Sequence, residues 1–321
     1  MKLHEDKDAF RALISVISEK MGIREDIVEK DYYLTLLLSE LAAWQAVLPA
    51  YFKGGTALYK AIGSLKRFSE DIDLTVEVQD CTRTRGKKRL EKAANGYASL
   101  PRTSDKSRES NTKGSITSVY EYTPITQVDE GDALQRFGYV KVEATSFTVS
   151  EPVEPLMIAP LLYTEADPEQ QKLLRVSYGV FPFEVKTIKM ERIFADKILA
   201  AEFYYQRQAL FDVSKHIYDL TLMMKFDRIL SLTACKDEFS KMLEYKRREE
   251  LSRTGSDLAG KPFTDFVLFK AIESDDKLRV TFSEMQRIYV FNDADIIPFS
   301  EATKQMGKLY EILLELDKVS L

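Results

Sequence analysis

Apolar residues recur at helical spacing near the start of the chain. The pattern holds from Asp8 to Met21 and again, over a longer run, from Arg24 to Leu48, so it predicts two amphipathic helices. Pro49 is expected to end the second helix, because proline lacks the amide that a helix interior needs. Thr56 is predicted to cap a third helix over the sequence ALYKAIG.

Further along, apolar and polar residues alternate with the period of two that is typical of half-buried strands. Strands are predicted for DIDLTVEV (residues 71–78), SITSVYEYT (115–123) and FGYVKVEATSFTV (137–149). In the last of these, Glu143 shares a face with Lys141, opposite the apolar face. The segment from Pro152 to Pro160 is predicted to be a connector.

From Glu191 onward helical spacing dominates. The helices that this spacing predicts cover residues 191–208, 213–225, 229–248 and 300–318. We therefore predict an α+β chain with two domains. A lobe of mixed sheet and helices covers residues 1–185, and a mostly α-helical lobe covers residues 186–321.

Composition narrows the class of protein. With 321 residues and a hydrophobic content of 45%, the chain can bury a sizeable core. Cys81 and Cys235 are far apart and form no CxxC motif, which argues against a disulfide scaffold and favours a reducing compartment. No apolar run approaches the roughly 20 residues that span a bilayer, and the charged N-terminus is unlike a signal peptide. We expect a cytoplasmic protein without a membrane partner.

Charge is unevenly spread along the chain. The net charge is −5, yet the window from Arg83 to Lys113 contains ten basic residues against three acidic ones, which makes it +7. One interpretation is a solvated helix and loop; the other is a surface that attracts an RNA or DNA backbone. Aromatic residues are sparse in the window, so base stacking is not indicated there.

Two carboxylates share one face of a predicted strand. Asp71 and Asp73 are two residues apart, so both project to the same side. Like charges repel by about 4 kcal/mol at 4 Å when the effective dielectric constant is near 20. A shared proton, a cation or full exposure to water relieves this, and Mg²⁺ suits a pair of carboxylates together with substrate phosphates. The alternative interpretation is a solvated strand end.

The sequence Gly54-Gly55-Thr56 precedes that strand by one predicted helix. Glycines let a backbone approach a ligand closely, and the amides of a helix start point at an anion. A phosphate-holding turn followed by DxD supplies both halves of a nucleotide–metal site. Lys53 and Arg67 are candidates to add positive charge at the phosphates.

Glu143 is the candidate third carboxylate, which two metal ions would require for in-line phosphoryl transfer. The alternative for this residue is an exposed strand position paired with Lys141.

Five segments occur in the order found in AbiEii/AbiGii-type nucleotidyltransferases, the toxin components of type IV toxin–antitoxin and abortive-infection systems. They are IVEKDYYLTLLL (27–38), FKGGTALYKAIGSLKRFSEDIDL (52–74), VKVEATS (140–146), ERIFADKILAAEF (191–203) and KHIYDL (215–220). The GGT…RxSxDID block is the most specific of them. The sequence after Leu220 carries no matching segment.

This resemblance implies a minimal polymerase-beta-like nucleotidyltransferase lobe followed by a helical lobe. Asp71 and Asp73 would bind Mg²⁺ or Mn²⁺, while Gly54, Gly55 and Thr56 would hold the triphosphate of an NTP. Ser69 would lie beside the triphosphate.

The same resemblance implies roles in the site for two residues of the helical lobe. Lys197 would contact the nucleotide phosphates, and Asp219 would lie near it as a catalytic or positioning carboxylate. The alternative is a salt bridge that joins two helices. Lys215 and His216 stand where many relatives have Arg-Asp, and Glu143 stands where related enzymes use Asp, so one metal or two stays open.

The implied function is transfer of a nucleoside monophosphate from an NTP to an RNA 3′ end, with tRNA as the expected acceptor. The enzyme would be the toxin of a phage-defence system and would have a partner antitoxin encoded nearby. Two alternatives are nucleotidylation of a protein side chain and a non-catalytic nucleotide-binding regulatory protein. The basic window counts against the former and the complete GGT and DxD set against the latter.

Overall fold

A computed structural model describes residues 1–63, 66–79, 81–127, 137–147, 152–254, 258, 260–290 and 292–319. Within these ranges the chain folds as two compact units. Unit 1 comprises Met1–Gly63 and Phe68–Ile188, and unit 2 comprises the described parts of Ser64–Arg67 and Lys189–Leu321. Unit 1 ends at Ile188, the last residue of a strand over Phe183–Ile188.

The described residues of unit 1 form six α-helices. They are α1 (Lys7–Met21), α2 (Glu25–Trp44), α3 (Gly54–Ala57), α4 (Arg83–Asn95), α5 (Leu161–Thr164) and α6 (Pro168–Tyr178). The predicted end of α2 at Pro49 is wrong, since the helix ends at Trp44 and a turn separates it from the proline. Thr56 is not an N-cap, because α3 already begins at Gly54 and continues as a π-helical turn, Leu58–Ile62.

One seven-stranded mixed sheet forms the centre of unit 1. Its strands are β1 (Ala50–Lys53), β2 (Asp71–Glu77), β3 (Ser110–Thr112), β4 (Ser115–Glu121), β5 (Tyr139–Phe147), β6 (Val153–Ile158) and β7 (Phe183–Ile188). They lie in the order β3-β4-β5-β2-β1-β7-β6. Strand β2 is therefore central, antiparallel to β1 on one side and parallel to β5 on the other.

The predicted connector from Pro152 to Pro160 is wrong, because strand β6 lies within it. Pro155 is part of this strand, opposite Lys186 of β7. A proline is tolerated here because β6 is an edge strand, where its missing amide removes no bond from a central ladder. Positions 148 and 149 of the predicted third strand lie outside the described residues.

Unit 2 is built from helices, as predicted. They are α7 (Met190–Gln206), α8 (Leu210–Met223), α9 (Asp227–Ala234), α10 (Lys236–Thr254), α11 (Val267–Ala271), α12 (Asp276–Tyr289) and α13 (Phe299–Val319). The single helix predicted over residues 229–248 is two, since Cys235 leaves the helical conformation between α9 and α10. In the described part of the chain, no helix is both long enough and apolar enough to cross a membrane.

Candidate active site

The register of the central strands brings the three predicted carboxylates together. Asp73 of β2 lies opposite Glu143 of β5, and Asp71 lies opposite Lys141 of the same strand. On the other side of β2, Lys53 of β1 is the cross-strand neighbour of Asp73. The apolar residues between them are buried, so the charged side chains share the opposite face of the sheet.

Lys141 pairs with Asp71 rather than with Glu143, its predicted partner in the alternative interpretation. Its Nζ lies 2.7 Å from Asp71 Oδ2. Burial acts to lower the pKa of Lys141, but the nearby carboxylates, Asp71 foremost, outweigh it and raise the pKa. The amine therefore stays charged and neutralises one member of the carboxylate cluster. The sequence analysis considered Lys141 only as a partner of Glu143 on the same strand, and its pairing with Asp71 was not predicted.

Asp73 is left with repulsion that its neighbours do not cancel. Burial, followed by the charges of Glu143 and Asp71, raises the pKa of Asp73 to about 7, against the smaller opposing effects of Lys53 and Lys141. A carboxyl group with so high a pKa is ionised at neutral pH only at a cost in free energy. A bound cation would remove that cost.

The backbone at Gly54 is fitted to this carboxylate. Gly54 has a φ of +79°, and a Cβ built on it would lie 2.2 Å from Asp73 Oδ2. Only glycine leaves room for the carboxylate at this corner, which also has the left-handed backbone that glycine favours. The structure thus shows a close approach of the Gly54 backbone to Asp73, and the approach of this turn to a phosphate stays a prediction.

Contacts of Thr56 with Ser69 and Asp71 connect the Gly54-Gly55-Thr56 turn to the start of β2. The Thr56 hydroxyl is fully buried and donates to the carbonyl oxygen of Asp71 at 2.5 Å. It also lies 2.9 Å from Ser69 Oγ. The Thr56 side chain is thus engaged within the protein, and the backbone amides of the first turn are what α3 offers to an anion.

The donor set suits a divalent cation that completes its shell with phosphate and water. Across the described ranges, no group of three or more His, Cys, Asp or Glu side chains is arranged to hold a metal ion by itself. Because Lys141 is paired with one oxygen of Asp71, the three carboxylates do not form a complete metal site by themselves. Mg²⁺ commonly uses one or two carboxylates plus substrate phosphates, and the repulsion at Asp73 favours such a cation.

Three consecutive charged residues of α2 are buried beside this region of unit 1. Glu29 accepts from the amides of Ile125 and Thr126, and Lys30 Nζ lies 3.2 Å from Glu70. Asp31 is fully buried and accepts from Lys60 and from the amide of Leu161. They anchor connecting segments to α2. Sequence reasoning missed them, although a charged triplet inside an apolar helix is an available signal.

Unit 2 contains a second charged cluster, built on Asp219 of α8. Arg67 donates to it with two nitrogens, Nε to Oδ1 and Nη2 to Oδ2, each at 2.7 Å. Lys197 of α7 lies 2.5 Å from Oδ2. Burial would raise the pKa of Asp219, but Arg67 and Lys197 outweigh it and lower the pKa to about 2. The salt bridge predicted as the alternative for Lys197 and Asp219 is present, and it also engages Arg67.

His216 packs against Tyr204 in the same unit, with the rings stacked 5.6 Å apart. Burial, assisted by the charges of Lys197 and Arg67, lowers the pKa of His216 well below its usual value, so the ring is neutral at pH 7. Lys215 lies 3.6 Å from Asp212. Lys215 and His216, which stand where many relatives have Arg-Asp, thus add no acidic group here.

The basic window lies on the surface of unit 1. Its residues form α4, a loop and β3, and nine of its ten basic side chains are exposed. Five of these make no ion pair within the described ranges: Arg83, Arg85, Lys88, Lys92 and Lys113. The unpaired cations leave a positive surface available to a polyanion.

Comparison with known proteins agrees with this architecture. The chain is similar in structure to MenT4, a nucleotidyltransferase toxin from Mycobacterium tuberculosis H37Rv, with a TM-score of 0.53 and 13% sequence identity. The alignment covers 94% of this chain and 89% of MenT4, and at this identity it shows a shared fold. No curated protein matches. The family description "Nucleotidyl transferase AbiEii toxin, Type IV TA system" matches residues 36–302. Since that match covers most of the chain, the protein belongs to the AbiEii nucleotidyltransferase toxin family of type IV toxin–antitoxin systems.

Proposed function

We propose that this nucleotidyltransferase transfers a nucleoside monophosphate from an NTP to the 3′ end of an RNA, with tRNA as the acceptor. The observation that carries the proposal is the register that puts Asp73 beside Glu143 and against Gly54. Like-charged carboxylates held together at a glycine corner are arranged for a cation and a triphosphate.

Asp71 and Asp73 are the residues we assign to a divalent cation, Mg²⁺ by preference, with Glu143 as the third candidate. When bound, such a cation neutralises charge on the triphosphate. The first-turn amides at Gly54, Gly55 and Thr56 face the phosphates in this proposal, and Lys53 contributes charge beside Asp73.

The reaction forms a bond from the acceptor hydroxyl oxygen to the α-phosphorus. The bond from that phosphorus to the pyrophosphate oxygen breaks, and the hydroxyl proton passes to a carboxylate of the cluster. Positioning of the two substrates and neutralisation of phosphate charge supply most of the rate enhancement in such a transfer.

Incorporation of labelled NTP into total tRNA in the presence of Mg²⁺ tests this proposal. We expect incorporation by the wild type and none by Asp71→Ala or Asp73→Ala. Glu169→Gln, a change on the exposed surface of α6, serves as the control and should behave as the wild type. Equal incorporation by the wild type and both aspartate variants would rule the proposal out. Label found on protein instead of RNA would favour nucleotidylation of a protein side chain.

The basic window from residue 83 to residue 113 is the surface we assign to the RNA backbone. Its exposed and unpaired cations support this assignment. Each phosphate contact made by a lysine or arginine steepens the salt dependence of binding, by about 0.7 in the slope of log K against log salt for a single strand. Replacing both Arg85 and Lys88 with glutamate should therefore flatten that slope.

Lys197 also has a predicted role, at the nucleotide phosphates. The ion pair with Asp219 is by itself a sufficient reason for the burial of Lys197. A variant is therefore needed that distinguishes this structural role from the role at the nucleotide phosphates. Lys197→Arg keeps the positive charge. If Lys197 acts on the substrate, this variant loses transfer while its unfolding free energy stays near that of the wild type.

As a toxin, the enzyme is expected to act in the cytoplasm, to arrest growth during phage infection and to be countered by its antitoxin. Expression of the wild type should stop growth, whereas Asp73→Ala should not. Growth arrest by both proteins would contradict this role for the reaction.

A further inference from the structure

Lys141 of β5 holds its ammonium group where a cation would meet Asp71. Its Nζ lies 2.7 Å from Asp71 Oδ2, across the parallel pairing of β5 with β2. The same carboxylate is one of the two that the proposed function assigns to Mg²⁺. A divalent cation and the Lys141 ammonium therefore compete for the negative charge of Asp71.

Solvent reaches both partners of this ion pair. The side chain of Lys141 is 36% exposed and that of Asp71 is 33% exposed. In the same unit, by contrast, the pair between Lys60 and Asp31 is closed to solvent, with side-chain exposures of 3% and 0%. Exposed ion pairs contribute little to stability, because water competes for both charges. The contact between Lys141 and Asp71 can therefore be exchanged for another at a small cost in free energy.

The Lys141 side chain remains near the carboxylate cluster when it leaves Asp71. Lys141 and Glu143 are two residues apart on one face of β5, a separation of about 7 Å at 3.3 Å per residue. Asp73 lies opposite Glu143 in the neighbouring strand. Lysine carries its ammonium on a flexible four-carbon stem. The group can therefore turn from Asp71 toward a phosphate held beside Asp73 and Glu143 while the strand stays in place.

The charges of the cluster favour such an exchange. When ionised, Asp71, Asp73 and Glu143 carry three negative charges, whereas Lys141 and the cross-strand neighbour Lys53 carry two positive ones. A divalent cation adds two positive charges and changes the net charge of these groups from −1 to +1. The carboxylates then hold the Lys141 ammonium less strongly, and an anionic triphosphate is attracted to it.

We propose that Lys141 is a resident counter-ion of Asp71 that the divalent cation displaces, and that the freed ammonium binds the triphosphate of the NTP. The inference rests on the proposed function in naming the cation and the NTP, and it gives Lys141 a direct contact with substrate. It also couples the binding of the two ligands, because the displaced ammonium gains a new partner only when a triphosphate is bound.

Binding of Mn²⁺ alone, measured by the EPR signal of the free ion, tests the displacement without any reaction. Lys141→Met removes the ammonium, keeps an unbranched side chain and is expected to fold, because the position is partly exposed. It should bind Mn²⁺ about tenfold more tightly than the wild type, the scale of one hydrogen bond to a charged group. Lys141→Gln should behave in the same way. Lys141→Arg keeps a positive charge at Asp71 and should bind Mn²⁺ no more tightly than the wild type.

Lys20→Met is the matched control for the Mn²⁺ measurement. Lys20 also pairs with a carboxylate of unit 1, since its Nζ lies 3.2 Å from Glu165 Oε2, and the Glu165 side chain is 34% exposed. This pair joins α1 to the residue after α5, outside the carboxylate cluster. Its loss frees a single exposed carboxylate, so the Mn²⁺ affinity should stay within about twofold of the wild type.

Binding of α,β-methylene analogues of ATP, GTP, CTP and UTP, each labelled with a methylanthraniloyl fluorophore, tests the contact with the triphosphate at saturating Mn²⁺. These analogues cannot release pyrophosphate, so the measurement reports binding alone. Lys141→Met should weaken binding of the tightest of the four about tenfold, and Lys141→Arg and Lys20→Met should stay within about threefold. The Lys141→Met change thus has opposite effects on the two ligands. A residue that only stabilised the fold would weaken the binding of both when replaced.

Equal or weaker Mn²⁺ binding by Lys141→Met would overturn the proposal, and so would nucleotide binding equal to that of the wild type. If Mn²⁺ binding is unchanged while NMP transfer depends on Asp73, the proposed reaction stands and the inference about Lys141 fails. If both opposite effects occur in a protein that transfers no NMP to RNA, the inference stands and the proposed reaction fails.

Discussion

Asp73 in unit 1 and Asp219 in unit 2 have opposite electrostatic surroundings. Burial and, after it, like charges raise the pKa of Asp73 to about 7, whereas Arg67 and Lys197 lower the pKa of Asp219 to about 2. Asp73 is repelled by the carboxylates around it, whereas Asp219 is paired with two cations. Repulsion between partly buried like charges is typical of a site that awaits a ligand, whereas a fully paired charge cluster is typical of a structural role.

Removing the charge of Asp219 should produce the largest loss of stability. Asp219→Asn leaves Arg67 and Lys197 without their carboxylate, and breaking a buried ion pair in this way costs about 3–5 kcal/mol of unfolding free energy. Urea unfolding measures this. Asp212→Asn, an exposed carboxylate of the same helix, should cost less than about 1 kcal/mol. Equal losses in the two variants would contradict the comparison.

Gly54→Ala should damage the carboxylate cluster directly. The added Cβ would displace the Asp73 carboxylate, so we expect transfer to fall about a hundredfold or more, as when a reacting geometry shifts by 1 Å. Gly22→Ala is the control, since Gly22 has a φ of +66° but open space around a Cβ. It should lose about 1 kcal/mol of stability and keep its activity. Full activity in Gly54→Ala would disprove the close approach.

A ligand that offsets the charge repulsion at Asp73 should raise the free energy of unfolding. Mg²⁺ with a non-hydrolysable NTP, at a hundred times its dissociation constant, adds about 2.7 kcal/mol to the unfolding free energy of the native state. Thermal unfolding should show this shift in the wild type and lose most of it in Asp73→Asn. Removal of Mg²⁺ with a chelator should reverse it. An equal shift in both proteins would place the ligand elsewhere.

Acid should release the stabilisation that Asp219 provides. Because its folded pKa, about 2, lies below the ordinary value of 3.8, this contribution is complete above pH 3.8 and is lost as the pH falls toward 2. The shift corresponds to roughly 2 kcal/mol. Unfolding free energies of the wild type and Asp219→Asn should therefore converge over that pH range. A constant difference would show that the ion pair does not set the pKa.

Much of the carboxylate cluster was predictable from the sequence. Alternation with period two places Asp71 and Asp73 on one face of a strand, and the same period places Glu143 on the charged face of another. What brings the strands together is the parallel pairing of β2 with β5 across more than sixty intervening residues. Local periodicity holds no information about such a long-range register.

The less predictable features depend on tertiary contacts. Strand β6 was missed because a proline interrupts its pattern, and only its edge position makes that proline acceptable. Arg67 was predicted at the phosphates from its place in the motif, yet its guanidinium is bound to Asp219, 152 residues away. The engagement of Asp71 by Lys141 likewise follows from pairing between strands.

The most direct test of the account measures NMP transfer and urea unfolding on the same preparation of Asp73→Asn. The account predicts that transfer falls about a thousandfold, the scale of losing one preorganised electrostatic group, while the unfolding free energy equals or exceeds that of the wild type. A variant that is equally stable and still transfers NMP at the wild-type rate would contradict the claim that the carboxylate cluster of unit 1 is the catalytic site.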